Sequence, residues 1–134
     1  MRGHGHFGGG RQRRGRYMLR PTLLFLMHQG PAHGYDLIDR LKSFGIHDID
    51  PSLIYRALRD MEAEEWVQSS WSKEKTQGPP RRIYTLTTDG NGILTSYLED
   101  LRNTRDRINQ LVQSYEQHMK SGTGDFHDNR KEMI

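Results

Sequence analysis

The side chains best suited to holding a polyanion fall in two short stretches of this chain. Ser52, Tyr55, Arg56 and Arg59 crowd the start of one amphipathic segment, and Lys73, Lys75, Arg81 and Arg82 flank Gly78-Pro79-Pro80. A guanidinium offers a planar fork of donors that matches guanine O6/N7 or a phosphate, whereas an ammonium acts as a point charge. The hydroxyls of Ser52 and Tyr55 reach phosphate oxygens, and Ser52 sits where helix N-terminal amides attract the same group. A plainer reading stands beside this one. Tyr55 equally suits packing against a neighbouring helix, the arginines suit any solvated helix face, and Arg82, alternating with Ile83, can turn toward an acidic neighbour.

The elements that position these groups are legible from local signals. Asp50-Pro51 is a strong helix start, with an acceptor at the N-cap and proline at the first helical position. The helix expected over 51–65 buries Ile54, Leu58 and Met61, which recur at i, i+4 and i+7, and its acids Glu62, Glu64 and Glu65 gather at the far end. Only its N-terminal half therefore suits a DNA groove. Two strand-like runs follow, 66–71 and 81–86, joined by the basic Gly-Pro-Pro turn. Trp66 and Trp71 are expected to anchor this hairpin to the body.

Upstream, Leu23, Leu24, Leu26 and Met27 form the apolar face of a first helix that begins near Leu19, with Pro21 in its first turn, and ends at Gly30-Pro31. A second helix runs from His33 or Gly34 to Phe44, buries Leu37, Ile38 and Leu41, and is closed by Gly45. The fold class expected is mainly α with a small β-hairpin: a winged helix-turn-helix over 18–90. Residues 1–17, rich in Gly, Arg and His, read as a flexible basic arm.

Past Thr87, whose hydroxyl can cap a further helix, Leu94, Leu98, Leu101, Arg105, Ile108, Val112, Tyr115 and Met119 step alternately by four and three. That is a heptad seam with one polar member, running roughly 25 residues or about 38 Å. A dimerisation helix is expected over 91–121, with Leu94, Leu98, Leu101, Ile108, Val112 and Tyr115 at its contact; residues 122–134 read as a disordered tail. Tyr17, Phe25, Tyr97 and Tyr115 are rings on which a planar effector could stack, or rings that complete the dimer core.

Composition bounds the function. The chain has 134 residues, one third of them hydrophobic, enough for one modest core. Residues 1–20 hold six arginines and no acid, while the remainder carries 14 basic and 17 acidic groups, so the net charge of +3 conceals a basic end on a slightly acidic body. A polyanionic partner fits that asymmetry. The absence of cysteine excludes disulfides and thiol sites. No apolar run approaches the roughly 18 residues that span a bilayer, and the first residues lack a signal-peptide core, so a cytoplasmic place is expected. No phosphate loop, nucleophile elbow or carboxylate pair is visible, so no enzymatic activity and no cofactor are expected. His33 reads as a helix-start and packing residue, and His4 and His6 make a poor metal site, so no metal is expected.

These segments, in this order, resemble the PadR family of bacterial transcriptional regulators. The resemblance lies in Leu19-Arg20-Pro21, Gly30-Pro31-Ala32-His33-Gly34-Tyr35-Asp36-Leu37-Ile38, Leu53-Ile54-Tyr55-Arg56-Ala57-Leu58 with Met61-Glu62, and Arg82-Ile83-Tyr84-Thr85-Leu86-Thr87 with Gly90. A single C-terminal helix is similar to the short-tailed branch. The resemblance implies a homodimeric winged-helix repressor on double-stranded DNA, with small aromatic or drug-like effectors, a recognition helix at 51–65 and a wing at 66–86. It leaves the effector-binding residues unknown. One departure stands out: Glu64-Glu65-Trp66 occupies a turn where the family pattern has glycine. The rival readings are a winged-helix protein–protein adaptor that docks through its long helix, and a metal- or ligand-sequestering dimer.

Overall fold

A computed structural model describes residues 10–73 and 78–123, with side chains from residue 17 onward. The expectations for residues 1–9, for Lys75 in the wing turn and for the tail from 124 lie outside the described residues. Four helices, α1 (Gly10–His28), α2 (Gly34–Leu41), α3 (Pro51–Ala63) and α4 (Thr88–His118), accompany three strands, β1 (Ala32–His33), β2 (Val67–Trp71) and β3 (Arg82–Leu86). The chain divides into two compact units, one reaching Leu98 and one starting at Glu99.

In the first unit the core follows the expected stripes. Leu23, Leu24 and Leu26 from α1, Leu37 and Leu41 from α2, and Leu58 and Met61 from α3 are fully buried. Each such side chain contributes roughly 1.5–3 kcal/mol relative to an exposed one. Val67, Tyr84 and Leu94 join the same cluster from β2, β3 and α4. The strands form an antiparallel sheet in the order β1-β3-β2, with Val67 opposite Leu86, Ser69 opposite Tyr84 and Trp71 opposite Arg82. The hairpin therefore matches its sequence reading to within a residue. Strand β1 is an addition: Ala32 and His33 pair with Tyr84 and Ile83 and enlarge the hairpin to three strands. Two residues are too few to show the period-two pattern from which a strand is read.

The first helix corrects the sequence reading. It begins at Gly10, not near Leu19, so residues 10–17 of the expected arm are helical, and Pro21 lies inside the helix. Proline there removes the bond to the Tyr17 carbonyl, a change that costs about 3 kcal/mol in a helix interior. The cost is offset because Pro21 and the residues after it are buried. Once that part is docked, extension toward the N-terminus needs no new nucleus, and arginine and glutamine propagate it, although Gly15 weakens it by about 1 kcal/mol relative to alanine.

The end of α3 resolves the missing glycine. Glu65 adopts φ 65°, a left-handed conformation, and does so without glycine's freedom. The Trp66 amide donates to the Met61 carbonyl (2.9 Å) and the Glu65 amide to the Glu62 carbonyl (2.9 Å), the paired bonds of a Schellman cap. Thr87 then ties this turn to the next helix. Its hydroxyl donates to the Glu65 carbonyl (2.7 Å), lies 3.0 Å from the Trp66 carbonyl, and accepts from the Gly90 amide (2.9 Å). A Cβ on Gly90 would collide with the Trp66 carbonyl, so glycine is required for this close approach.

The second unit, from Glu99, is helical through His118 and ends in a turn, Met119–Thr123, with Gly122 at φ 82°. Ile108, Val112, Tyr115 and Met119 are exposed along it, as is Leu111. Leu94 departs from the seam expectation. It is only 4% exposed within the core of the first unit, because the first turns of α4 pack there, and it is withdrawn from any partner.

Candidate nucleic-acid interface

Helix α3 is set by its cap. The Asp50 carboxylate accepts from the Ser52 amide (2.9 Å), and these bonds with Ser52 hold the Asp50 carboxyl below its usual range, against a small opposing effect of desolvation. Pro51 follows at the first helical position. With Ile54, Ala57, Leu58 and Met61 turned inward, Ser52, Arg56 and Arg59 are left exposed. Tyr55 takes the packing place that was the plainer of its two expected readings: it is half-buried against the core, and its ring edge abuts Gly34 at the start of α2. Arg56 borders a hollow with Leu19, Arg20 and Asp60, across which Arg20 Nη2 meets Asp60 Oδ2 at 3.4 Å. That exposed pair adds little stability. It does neutralise the acid nearest Arg56 along the helix.

The wing arginines behave differently from each other. Arg82 Nη1 donates to Ser69 Oγ (2.6 Å), Ser69 Oγ donates to Glu62 Oε2 (2.6 Å), and the Arg82 guanidinium stacks 4.5 Å from the Trp71 ring centre. It is thus engaged toward an acid, as its position beside Ile83 suggested. Arg81 stacks 5.1 Å from the ring centre of Tyr35. Lys73 is exposed. Trp66 packs against the core, but Trp71 is exposed beneath Arg82 and does not anchor the hairpin as expected. It stands opposite Arg82 in the last pair of the β2–β3 ladder, farthest from the end where Val67 is buried.

Three expected residues, Tyr55, Arg81 and Arg82, line one cleft of about 400 Å³ together with His33, Gly34, Tyr35 and Tyr84. Ser52, Arg56 and Arg59 are not among its walls. Burial pushes the Tyr84 hydroxyl above its ordinary pKa; Arg82 and Arg59 pull it down, while Glu62 and Tyr55 push it up. Tyr35, Tyr84 and His33 were not singled out for contact from the sequence. The signal available was the His-Gly-Tyr run itself, but only the β1–β3 pairing and the stacking of Arg81 bring it to the wing.

Among the candidate effector rings of the first unit, Phe25 lies edge-on to Phe44 at 6.0 Å, Tyr97 packs against the core and Tyr17 is exposed. In the second unit Tyr115 is exposed. Among the described residues, no three potential ligands of the His, Cys, Asp or Glu type gather in a metal-binding group, and no helix is long and apolar enough to cross a membrane.

The sequence profile of the transcriptional regulator PadR-like family matches residues 23–96. The chain belongs to that family. It is a DNA-binding transcriptional regulator and not an enzyme. Solved structures agree on the fold. A conserved protein of unknown function, described as a potential transcriptional factor, is 31% identical with a TM-score of 0.68, over 89% of this chain and 99% of that one. A PadR-like transcription factor from Bacteroides fragilis is 28% identical (TM-score 0.60; 75% and 94% covered). A PadR-like transcriptional regulator from Bacillus cereus is 25% identical (TM-score 0.64; 72% and 92% covered). No curated protein matches the sequence significantly. The winged helix-turn-helix expected from the sequence is thus the fold of this PadR-like chain.

Proposed function

We propose that this PadR-like regulator is a homodimeric repressor of the bacterial cytoplasm that binds an inverted-repeat operator. The observation that carries the reading is the outer face of α3, where Ser52, Arg56 and Arg59 stand exposed ahead of the acidic end of a capped helix. In this reading that face enters the major groove. Lys73, Lys75 and Arg81 serve the flanking backbone, and Arg82 holds the wing in place more than it contacts DNA. The exposed apolar residues Ile108, Val112 and Tyr115 of the second unit, with half-buried Leu101 and with Leu98 of the first, support a helix-on-helix dimer contact. Two-fold protein symmetry would be mirrored in the operator. A small aromatic effector would act by changing the spacing of the two recognition helices.

Fluorescence anisotropy on DNA from upstream of the protein's own gene tests the reading. If each subunit neutralises about four phosphates, log affinity falls against log salt with a slope near −7. Replacing Arg56 and Arg59 by Ala should abolish the preference over scrambled DNA. Equal weak binding to both duplexes would sink the repressor reading and favour the adaptor, for which Leu111, 71% exposed and off the heptad seam, is the supporting feature.

A further inference from the structure

We propose that the cleft between α2, α3 and β3 seats a DNA backbone phosphate, with Arg81, Tyr55 and Tyr35 as the residues that form the seat. The proposal rests on the DNA-binding reading above and assigns that reading a phosphate site distinct from the exposed arginines of α3.

Four observations converge there. Arg82 donates to Ser69, which in turn donates to Glu62, and is stacked on Trp71, so Arg81 is the arginine left to the cleft. Its guanidinium carbon lies over the Tyr35 ring, 5.1 Å from the ring centre, and Tyr35 is 53% exposed. Stacking occupies the face of a guanidinium and leaves its in-plane N–H groups to donate, the geometry that matches a phosphate. The Tyr55 hydroxyl lies beside the first residue of α2, 3.3 Å from where a Cβ on Gly34 would stand, so it shares the cleft with the opening turn of that helix. That turn has no side-chain cap: His33 occupies the N-cap without a capping bond, and the first amides of α2 keep unused donors.

His33 lines both this cleft and the neighbouring hollow, and its buried Nδ1 has no hydrogen-bond partner among the described residues, a state that costs free energy unless a ligand or water completes it. Glycine at position 34 completes the construction, because a Cβ there would strike the Tyr55 ring and close the cleft. Of the nearby acids, Glu62 accepts from Ser69 and its field at Tyr84 is countered by Arg82 and Arg59, while Asp36 lines a neighbouring hollow with Pro31 and Asp39. Because one wall is α3 and another is the wing strand, the anion that fits is a phosphate of the strand flanking the groove that α3 enters.

The experiment compares wild type with Arg81→Ala, Tyr55→Phe and Tyr35→Ala, each checked for an unchanged thermal midpoint, on the upstream duplex and a scrambled one. Backbone phosphates carry no sequence, so Arg81→Ala should weaken both duplexes alike, by about tenfold at low salt, and flatten the salt slope by about one per subunit. Tyr55→Phe, which keeps the ring and removes the hydroxyl, should weaken both by a smaller equal factor. A scan placing one neutral methylphosphonate linkage at a time should find a position costly to wild type and costless to Arg81→Ala. Unchanged affinity and slope in all three variants, with wild type binding normally, would overturn the seat while leaving the DNA reading intact. Saturable binding of 4-hydroxybenzoate, lost in Arg81→Ala and without any linkage coupling, would overturn it in favour of a small-ligand site. Wild type that binds neither duplex would remove the DNA reading itself.

Discussion

Two residues at the ends of α3 show how local chemistry fixes the recognition helix. Asp50 caps its start, and the carboxylate form is favoured by the Ser52 bonds, so its pKa is lower in the folded chain than the ordinary value of 3.8. On acidification the unfolded chain takes up the proton first. The cap's contribution is complete well above pH 3.8, declines below it, and is lost once pH falls through the folded value. Asp50→Asn should retain a cap and flatten this part of the acid limb, whereas Asp50→Ala should destabilise at neutral pH as well; thermal midpoints between pH 3 and 7 check both. Glu65, at the other end, holds φ 65° at a cost of about 1 kcal/mol that glycine avoids. Glu65→Gly should therefore stabilise by roughly 0.5 kcal/mol, the benefit being reduced by glycine's unfolded-state freedom. A lower midpoint in denaturant would count against that account. The sequence disclosed the missing glycine, but not how the turn closes, because the closing donor is Thr87, twenty-two residues away.

Among the elements, the wing is the one whose position depends on side-chain bonds. Sheet pairing joins β2 to β3 and Val67 and Tyr84 pack in the core with α3, while a polar link from the sheet to α3 runs through Glu62, Ser69 and Arg82, each bond 2.6 Å long. A hydrogen bond of this kind contributes on the order of 1 kcal/mol net. Ser69→Ala should leave the core intact, cost about that much, and raise amide hydrogen exchange in Val67–Trp71 and Arg82–Leu86 while α1 is unaffected. Uniform acceleration across all helices would show that the chain had merely lost global stability. From sequence, the alternation of Arg82 with Ile83 indicated its direction, yet not its partner. Trp71 misled the reading for a related reason: a large aromatic in a hairpin usually packs inward, and here Arg82 covers it instead.

For the molecule as a whole, the open matter is assembly. Ile108 is 55% exposed and Val112 46%, and a partner helix is the simplest cover for such a seam. Ile108→Glu combined with Val112→Glu should yield a monomer in sedimentation equilibrium, with the first unit's fold unchanged by circular dichroism. It should also bring the salt slope of DNA binding down to about half, since half the phosphates would be engaged. A dimer that persists in the double variant would place the contact elsewhere. What the sequence by itself determined was periodic or punctuated: the inward stripes of α2 and α3, the Asp50-Pro51 start, the hairpin, and through them the PadR-like fold. These signals are local, because each depends on residues within a turn or two of one another. Only the tertiary structure decided the rest. It buried Pro21 deeply enough for α1 to run through it, drew Leu94 out of the seam and into the core, and paired β1 with β3 so that Tyr35, Tyr55 and Arg81 share one cleft. Those outcomes depend on which distant surfaces meet, and no spacing along the chain encodes them.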